Sequence, residues 1–108
     1  MPKNIVVLVS GGGTNLQALI DAQRRGEITG GAITAVISSR PDAYALERAK
    51  TAGIPGYVVA RKDFPGNREM TQALVAKLRE LKADLVVLAG FMHILTEEMV
   101  QAYPNAIL

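Results

Sequence analysis

The sequence has 108 residues, of which 49% are hydrophobic and 20% charged, so it contains enough apolar material for one small folded domain. Twelve lysines and arginines against ten acidic residues leave a net charge of +2, which does not favour a dedicated nucleic-acid-binding surface. The absence of cysteine excludes a disulfide, a thiolate metal site and a thiol nucleophile within these residues. The longest apolar runs are about five residues, far below the ~20 that cross a bilayer, and we expect a cytoplasmic protein with no membrane partner.

The first predicted strand, Ile5–Val9, is a continuous apolar run that suits a central parallel strand. A glycine cluster follows it, and Thr14 or Asn15 is expected to cap a helix that ends before Gly26. The same alternation continues along the chain and predicts strands at Ile33–Ile37, Tyr57–Val59 and Leu85–Ala89 and helices at Ala43–Ala52 and Arg68–Leu81. This order predicts right-handed βαβ units, and hence an α/β fold with a Rossmann-like three-layer parallel sheet.

The last predicted elements are a short helix that begins at Thr96 and an apolar run, Ala106–Leu108, that is typical of a strand. A terminal carboxylate on a strand that enters a sheet would be costly to bury. We therefore expect a sheet truncated in its last strand, and residues 1–108 as a single N-terminal nucleotide-binding domain of a longer chain. The alternative is a short edge strand with a frayed end. An exposed edge there would favour self-association with a second copy.

The loop from Ser10 to Asn15 joins the first strand to the first helix and is a candidate anion site. Backbone N–H groups and the helix dipole favour a phosphate at this place, and the Thr14 hydroxyl and Asn15 amide add neutral donors. A dinucleotide fingerprint is disfavoured because Leu16 stands where its third glycine belongs. Arg40, after the second strand, leaves an NADP-like module as an alternative, and a tight turn without a ligand is another.

A second candidate is the apolar segment Leu88–Leu95, which follows the last long strand. Ligands of open α/β sheets bind outside the carboxyl ends of the strands, so this segment is expected to line the same crevice as the glycine loop. The alternative is that its apolar side chains only pack the core. His93 is the sole histidine, and the sequence shows no metal-ligand spacing, so no metal site is expected.

Three stretches together resemble the phosphoribosylglycinamide formyltransferases, also called glycinamide ribonucleotide transformylases: Asn4–Ala18, Leu46–Ala49 and Val87–Met92. The resemblance covers the whole chain. It implies an enzyme of purine biosynthesis that transfers a formyl group from 10-formyltetrahydrofolate to the amine of glycinamide ribonucleotide. That substrate carries one 5′-phosphate, which agrees with a loop suited to a single anion.

Residue by residue, the resemblance implies that Gly13, Thr14 and Asn15 hold the phosphoribosyl end of the nucleotide. It implies folate binding by five further residues: Arg68, Met92, His93, Ile94 and Leu95. His93 stands where the family usually has an arginine.

The catalytic group of that family is an Asn-x-His motif with a downstream Asp, and the motif begins directly after the residues that match Ile107 and Leu108. We therefore expect no catalytic residue among these 108 residues, and no activity without a missing C-terminal half. The alternative is a stand-alone or engineered α/β module that binds a nucleotide or self-associates.

Overall fold

A four-stranded parallel sheet lies at the centre of the computed structural model, which describes residues 3–93, 95–104 and 106–108. In chain order the elements are β1 (Lys3–Val9), α1 (Thr14–Arg24), β2 (Gly31–Ser38), α2 (Tyr44–Thr51), β3 (Gly56–Val58), a 3₁₀ turn (Arg61–Asp63), α3 (Asn67–Glu80), β4 (Leu85–Leu88) and α4 (Glu97–Ala102). The strand order is β3-β2-β1-β4. The predicted α/β fold is confirmed, and the predicted helices and strands agree with these bounds to within two residues. The 3₁₀ turn was not predicted.

The sheet is covered on both faces because the side chains of β1 alternate between two hydrophobic clusters. Val7 and Val9 pack with α1 and α2, and Val6 and Leu8 pack with α3 and α4. The helices contribute buried residues at helical spacing: Leu16, Ile20, Ala45 and Ala49 on the first face, and Met70, Leu74, Leu78 and Met99 on the second. The apolar run of β1 is therefore buried on both sides, as its sequence predicts.

The residues after α4 return to the sheet beside β4. Val86 and Ile107 form one parallel bridge, in which the Val86 N–H donates to the Ala106 carbonyl at 2.8 Å and the Leu108 N–H donates to the Val86 carbonyl at 2.9 Å. The predicted last strand is therefore a single bridge at the edge of the described sheet. Self-association through this edge stays a prediction.

The start of α1 differs from the prediction that Thr14 or Asn15 caps this helix. Gly13 occupies the cap position with a φ of 82°, and no side chain caps the helix. The Gly13 carbonyl accepts the first helical hydrogen bond from the Gln17 N–H at 2.8 Å. A positive φ favours glycine at the cap position, and the helix begins at Thr14, one residue earlier than a Thr14 cap and two earlier than an Asn15 cap would place it. Among the described residues, no helix is long and apolar enough to cross a membrane.

Candidate functional site

The glycine loop, Ser10–Gly13, lies at the carboxyl end of β1 and faces a small cavity, which we call the loop pocket. Its volume is about 160 Å³, and its lining comes from two segments: Gly11–Asn15 on one side, and Ala89, Gly90 and Met92 on the other. A Cβ atom on Gly11 or Gly12 would meet nothing within 4 Å. These two glycines therefore leave room for a ligand to approach the backbone.

Helix α2 holds the glycine loop from behind. The Ala45 N–H donates to the Gly11 carbonyl at 3.1 Å, and the Arg48 Nε donates to the Gly12 carbonyl at 2.7 Å. No cis peptide bond occurs among the described residues, and in a trans peptide the N–H points opposite to the carbonyl. The N–H groups of Gly12 and Gly13 are therefore directed away from α2. Two such donors at the start of a helix are suited to an anion.

A chain of buried hydroxyl groups connects the ends of β1 and β2 to the segment after β4. Ser10 Oγ and Ser39 Oγ are 2.8 Å apart, and Ser39 Oγ is 3.1 Å from His93 Nε2. The backbone N–H of Met92 donates to Ser10 Oγ at 2.9 Å. We call this arrangement the Ser10–Ser39–His93 chain. It fixes the position of the segment that carries Met92 and His93.

A larger cleft of about 600 Å³ has His93 in its lining, and we call it the basic cleft. Its lining residues are Ser39, Arg40, Pro41, Asp42, Arg61, Lys62 and His93. Arg40 contacts Asp42 at 3.2 Å. Arg61 donates to the Phe64 carbonyl at 2.9 Å and to the Asn67 side chain at 3.1 Å, so its guanidinium also ties the 3₁₀ turn to α3. With three cationic residues and one acidic one, the cleft is suited to an anionic group.

The predicted folate-binding residues are only partly brought together. Met92 lines the loop pocket and is 80% exposed, and His93 lines the basic cleft with its ring in a T-shaped contact with Phe91. Leu95 is half-buried and packs with the cluster that includes α3. Arg68 lies on the first turn of α3 and lines neither cavity. The prediction for Ile94 falls outside the described residues.

Arg68 pairs with a carboxylate of α4. The Arg68 Nε lies 3.2 Å from Glu98 Oε1, and the Arg68 side chain is 64% exposed. The Thr96 hydroxyl donates to the other Glu98 oxygen. The Thr96 hydrogen bond, together with a backbone hydrogen bond and the Arg68 charge, holds the pKa of Glu98 below its ordinary value. Arg68 therefore has a fixed anionic neighbour on the protein itself.

Sequence reasoning placed Ser10 in the candidate anion loop but predicted no side-chain role for it, and it missed Ser39 and Arg48 altogether. One signal was present, since Ser10 and Ser39 each follow a predicted strand and the carboxyl ends of neighbouring parallel strands lie together.

Within residues 3–93, 95–104 and 106–108, no group of three or more histidine, cysteine, aspartate or glutamate side chains could hold a metal ion.

A parallel sheet with helices on both faces and a glycine loop at the carboxyl end of its first strand defines a Rossmann-like α/β protein, and comparison with known proteins sets the family. A family model described as formyl transferase matches residues 3–108, and the chain belongs to this family. The family predicted from the sequence is thereby confirmed.

Individual relatives point in the same direction. The phosphoribosylglycinamide formyltransferase of Haemophilus influenzae is 50% identical over 106 residues, which are 98% of this chain and 50% of the relative. The trifunctional purine biosynthetic protein adenosine-3 of Drosophila melanogaster is 40% identical over 102 residues, which are 94% of this chain and 8% of the relative. The crystal structure of glycinamide ribonucleotide transformylase 1 from Symbiobacterium toebii superposes with a TM-score of 0.92 at 42% identity, over 98% of this chain and 50% of that one. The chain thus spans about half the length of the bacterial relatives.

Proposed function

We propose that this chain supplies the nucleotide-binding part of a phosphoribosylglycinamide formyltransferase. In that reaction a formyl group passes from 10-formyltetrahydrofolate to the amine of glycinamide ribonucleotide. Membership of the formyl transferase family supports the reaction class. The observation that carries the proposal is the loop pocket, whose two open glycines and two N–H groups directed away from α2 suit the single 5′-phosphate of this substrate.

The proposed phosphate ligands are Gly13, Thr14 and Asn15, which all line the loop pocket. The first turn of α1 contains no acidic residue, so nothing there offsets the positive end of the helix dipole. The pocket, at about 160 Å³, is smaller than the roughly 300–1,000 Å³ of whole-ligand sites. It therefore suits one phosphate group, with the rest of the nucleotide extending out of it.

The folate co-substrate supplies the formyl group, and the residues proposed to hold it are Arg68, Met92, His93, Ile94 and Leu95. The basic cleft next to His93 fits part of such a ligand, because its volume of about 600 Å³ is in the usual range and its cations complement carboxylates. The exposed thioether of Met92 offers an apolar contact for a flat ring. Arg68 lies outside this cleft and would contact the anionic end of the ligand only.

The same proposal assigns no catalytic residue to these 108 residues. A protein limited to them is expected to bind ligands without formyl transfer. The cytoplasmic location also stays a prediction, which fractionation of cells at natural expression would check.

The phosphate site can be tested by titration calorimetry with glycinamide ribonucleotide and with the same compound lacking its phosphate. We expect binding of the first and a dissociation constant at least about tenfold higher for the second, because charge-assisted hydrogen bonds are lost. Asn15→Asp places a negative charge in the loop pocket and is expected to abolish the difference. Asn67→Asp, the same change at the start of α3, is the matched control and should leave it intact. Equal affinity for the two compounds would disprove the phosphate site.

A further inference from the structure

We propose that Ser10 and Ser39 are positioning residues, which hold Met92 and His93 at a fixed place between the loop pocket and the basic cleft. Their effect on ligand affinity rests on the proposed function, whereas the positioning itself does not. Met92 lines one cavity and His93 lines the other, and the Ser10–Ser39–His93 chain connects both residues to the sheet.

Both serines of the Ser10–Ser39–His93 chain are buried, so their hydrogen bonds matter for the structure. Ser10 is 1% and Ser39 3% exposed, so neither hydroxyl can exchange its protein partner for bulk water. A buried hydroxyl without a hydrogen bond is costly, and the partners here come from parts of the sequence that are 29, 54 and 82 residues apart. These hydrogen bonds are therefore tertiary contacts and not turn geometry.

Each serine hydroxyl has one hydrogen to donate, and this sets the direction of the hydrogen bonds between Ser10, Ser39 and His93. Ser10 Oγ accepts the Met92 N–H, and its own hydrogen then has Ser39 Oγ as acceptor. Ser39 in turn donates to His93 Nε2. The reverse order, with a hydrogen on Nε2, leaves the Ser10 hydrogen without an acceptor in the chain. The arrangement that gives every hydroxyl hydrogen an acceptor therefore has Nε2 as an acceptor and the ring hydrogen on Nδ1.

Phe91 and Leu95 pack against the cluster that includes α3, and the described residues between Ala89 and Phe91 and at Met92 have few other constraints. Gly90 has a φ of 73°, and the Met92 side chain contributes almost no burial because it is 80% exposed. Where the structure describes this segment, Ala89 is the last residue with a backbone hydrogen bond to the sheet, from its N–H to the Leu8 carbonyl at 2.9 Å. Beyond it, the Met92 N–H to Ser10 Oγ bond holds the backbone beside the glycine loop.

The first test is amide hydrogen exchange by NMR on the ligand-free chain with three variants: Ser10→Ala, Ser39→Ala and His93→Phe. The phenylalanine keeps the ring against Phe91 and removes Nε2. Each variant is expected to accelerate exchange of the Met92 amide about three- to tenfold relative to the Val7 amide in the core of β1. The nitrogen shifts of the His93 ring should show the Nδ1–H form in the parent chain and a tautomer mixture in Ser39→Ala.

The variants also test whether the three residues act as one unit. In the double variant Ser39→Ala/His93→Phe, the Met92 amide is expected to exchange no faster than in either single variant. Ser39→Thr keeps the hydroxyl, so its Met92 amide should exchange as slowly as in the parent. Equal acceleration of the Met92 and Val7 amides, or no change at Met92, would overturn the positioning role.

Inorganic phosphate titrated into the same variants separates this proposal from the proposed function. We expect phosphate affinity to fall about three- to tenfold in Ser10→Ala and Ser39→Ala. If the parent chain does not bind phosphate, the proposed phosphate site fails, and the Met92 exchange rates alone decide the positioning role.

Discussion

A Cβ atom placed on Gly13 would lie 2.7 Å from the Cβ of Ala45, well inside the contact distance of two carbon atoms. Gly13 is also in the left-handed region, with a φ of 82°. The absence of a side chain is therefore required twice: by the backbone conformation and by the approach of α2. Because Ala45 and Arg48 also hold the loop carbonyls, this close packing determines the shape of the loop pocket.

The first prediction concerns Gly13→Ala. The left-handed conformation costs about 1–2 kcal/mol in a residue with a Cβ, and overpacking against Ala45 adds about 1–3 kcal/mol. We expect the free energy of unfolding to fall by about 2–5 kcal/mol in urea titrations. Gly12→Ala is the matched control, because its Cβ would meet nothing within 4 Å.

Gly12→Ala should change the free energy of unfolding by no more than about 0.5 kcal/mol. Its methyl group would occupy space at the loop pocket, so phosphate binding should weaken although the fold persists. A stability loss as large as that of Gly13→Ala would show that the packing of α2 is not the reason for the difference.

The second prediction concerns Arg48, whose guanidinium joins α2 to the loop. Arg48→Met keeps the aliphatic stem but removes the bonds to the Gly12 carbonyl at 2.7 Å and to the Gln17 side chain at 3.3 Å. We expect a loss of about 1 kcal/mol in unfolding free energy and weaker phosphate binding, because the loop is less constrained. Lys50→Met makes a similar change at an exposed position of the same helix and should affect neither quantity. Equal effects of the two variants would contradict the role given to Arg48.

The elements of the fold were predictable from local pattern, and the site was predictable only in part. Runs such as Ile5–Val9 and the helical spacing of Leu74 and Leu78 reflect burial directly, so the α/β order followed from the sequence. The helix cap was misassigned because the choice between Gly13 and Thr14 depends on the position of Ala45, about thirty residues further on. The roles of Ser10, Ser39 and Arg48 depend on strand order and helix placement, which local pattern does not contain.

The third prediction concerns acid stability through Glu98. The Thr96 hydroxyl, and to a smaller extent Arg68, lowers the pKa of this carboxyl below its ordinary value of 4.5. Because the pKa is lower in the folded chain than in the unfolded one, Glu98 stabilises the fold above pH 4.5. This contribution is lost as the pH falls through the lowered pKa.

Urea titrations between about pH 3 and pH 6 measure this effect. The parent chain should lose more stability than Glu98→Gln over this interval, because the variant has no proton to gain at this position. Glu97→Gln, on the exposed neighbouring residue, is the control and should follow the parent chain. Parallel curves for the parent and Glu98→Gln would contradict the prediction.

The fourth prediction concerns Arg68, which is proposed to contact the folate and already pairs with Glu98 at 3.2 Å. The two carboxylates, one from the ligand and one from α4, would compete for the same guanidinium. Arg68→Gln should therefore raise the dissociation constant of 10-formyltetrahydrofolate about tenfold, because a charge-assisted hydrogen bond is lost.

Glu98→Gln should act in the opposite direction and lower that dissociation constant about two- to fivefold, since an exposed ion pair contributes about 0.5–1 kcal/mol. Fluorescence titration of the folate measures both variants, and Arg24→Gln, at an exposed position near the end of α1, controls for the change in net charge. If Glu98 instead orients Arg68 for the ligand, Glu98→Gln would weaken binding as Arg68→Gln does. The sign of the Glu98→Gln effect therefore distinguishes a carboxylate that competes with the folate from one that prepares its binding site.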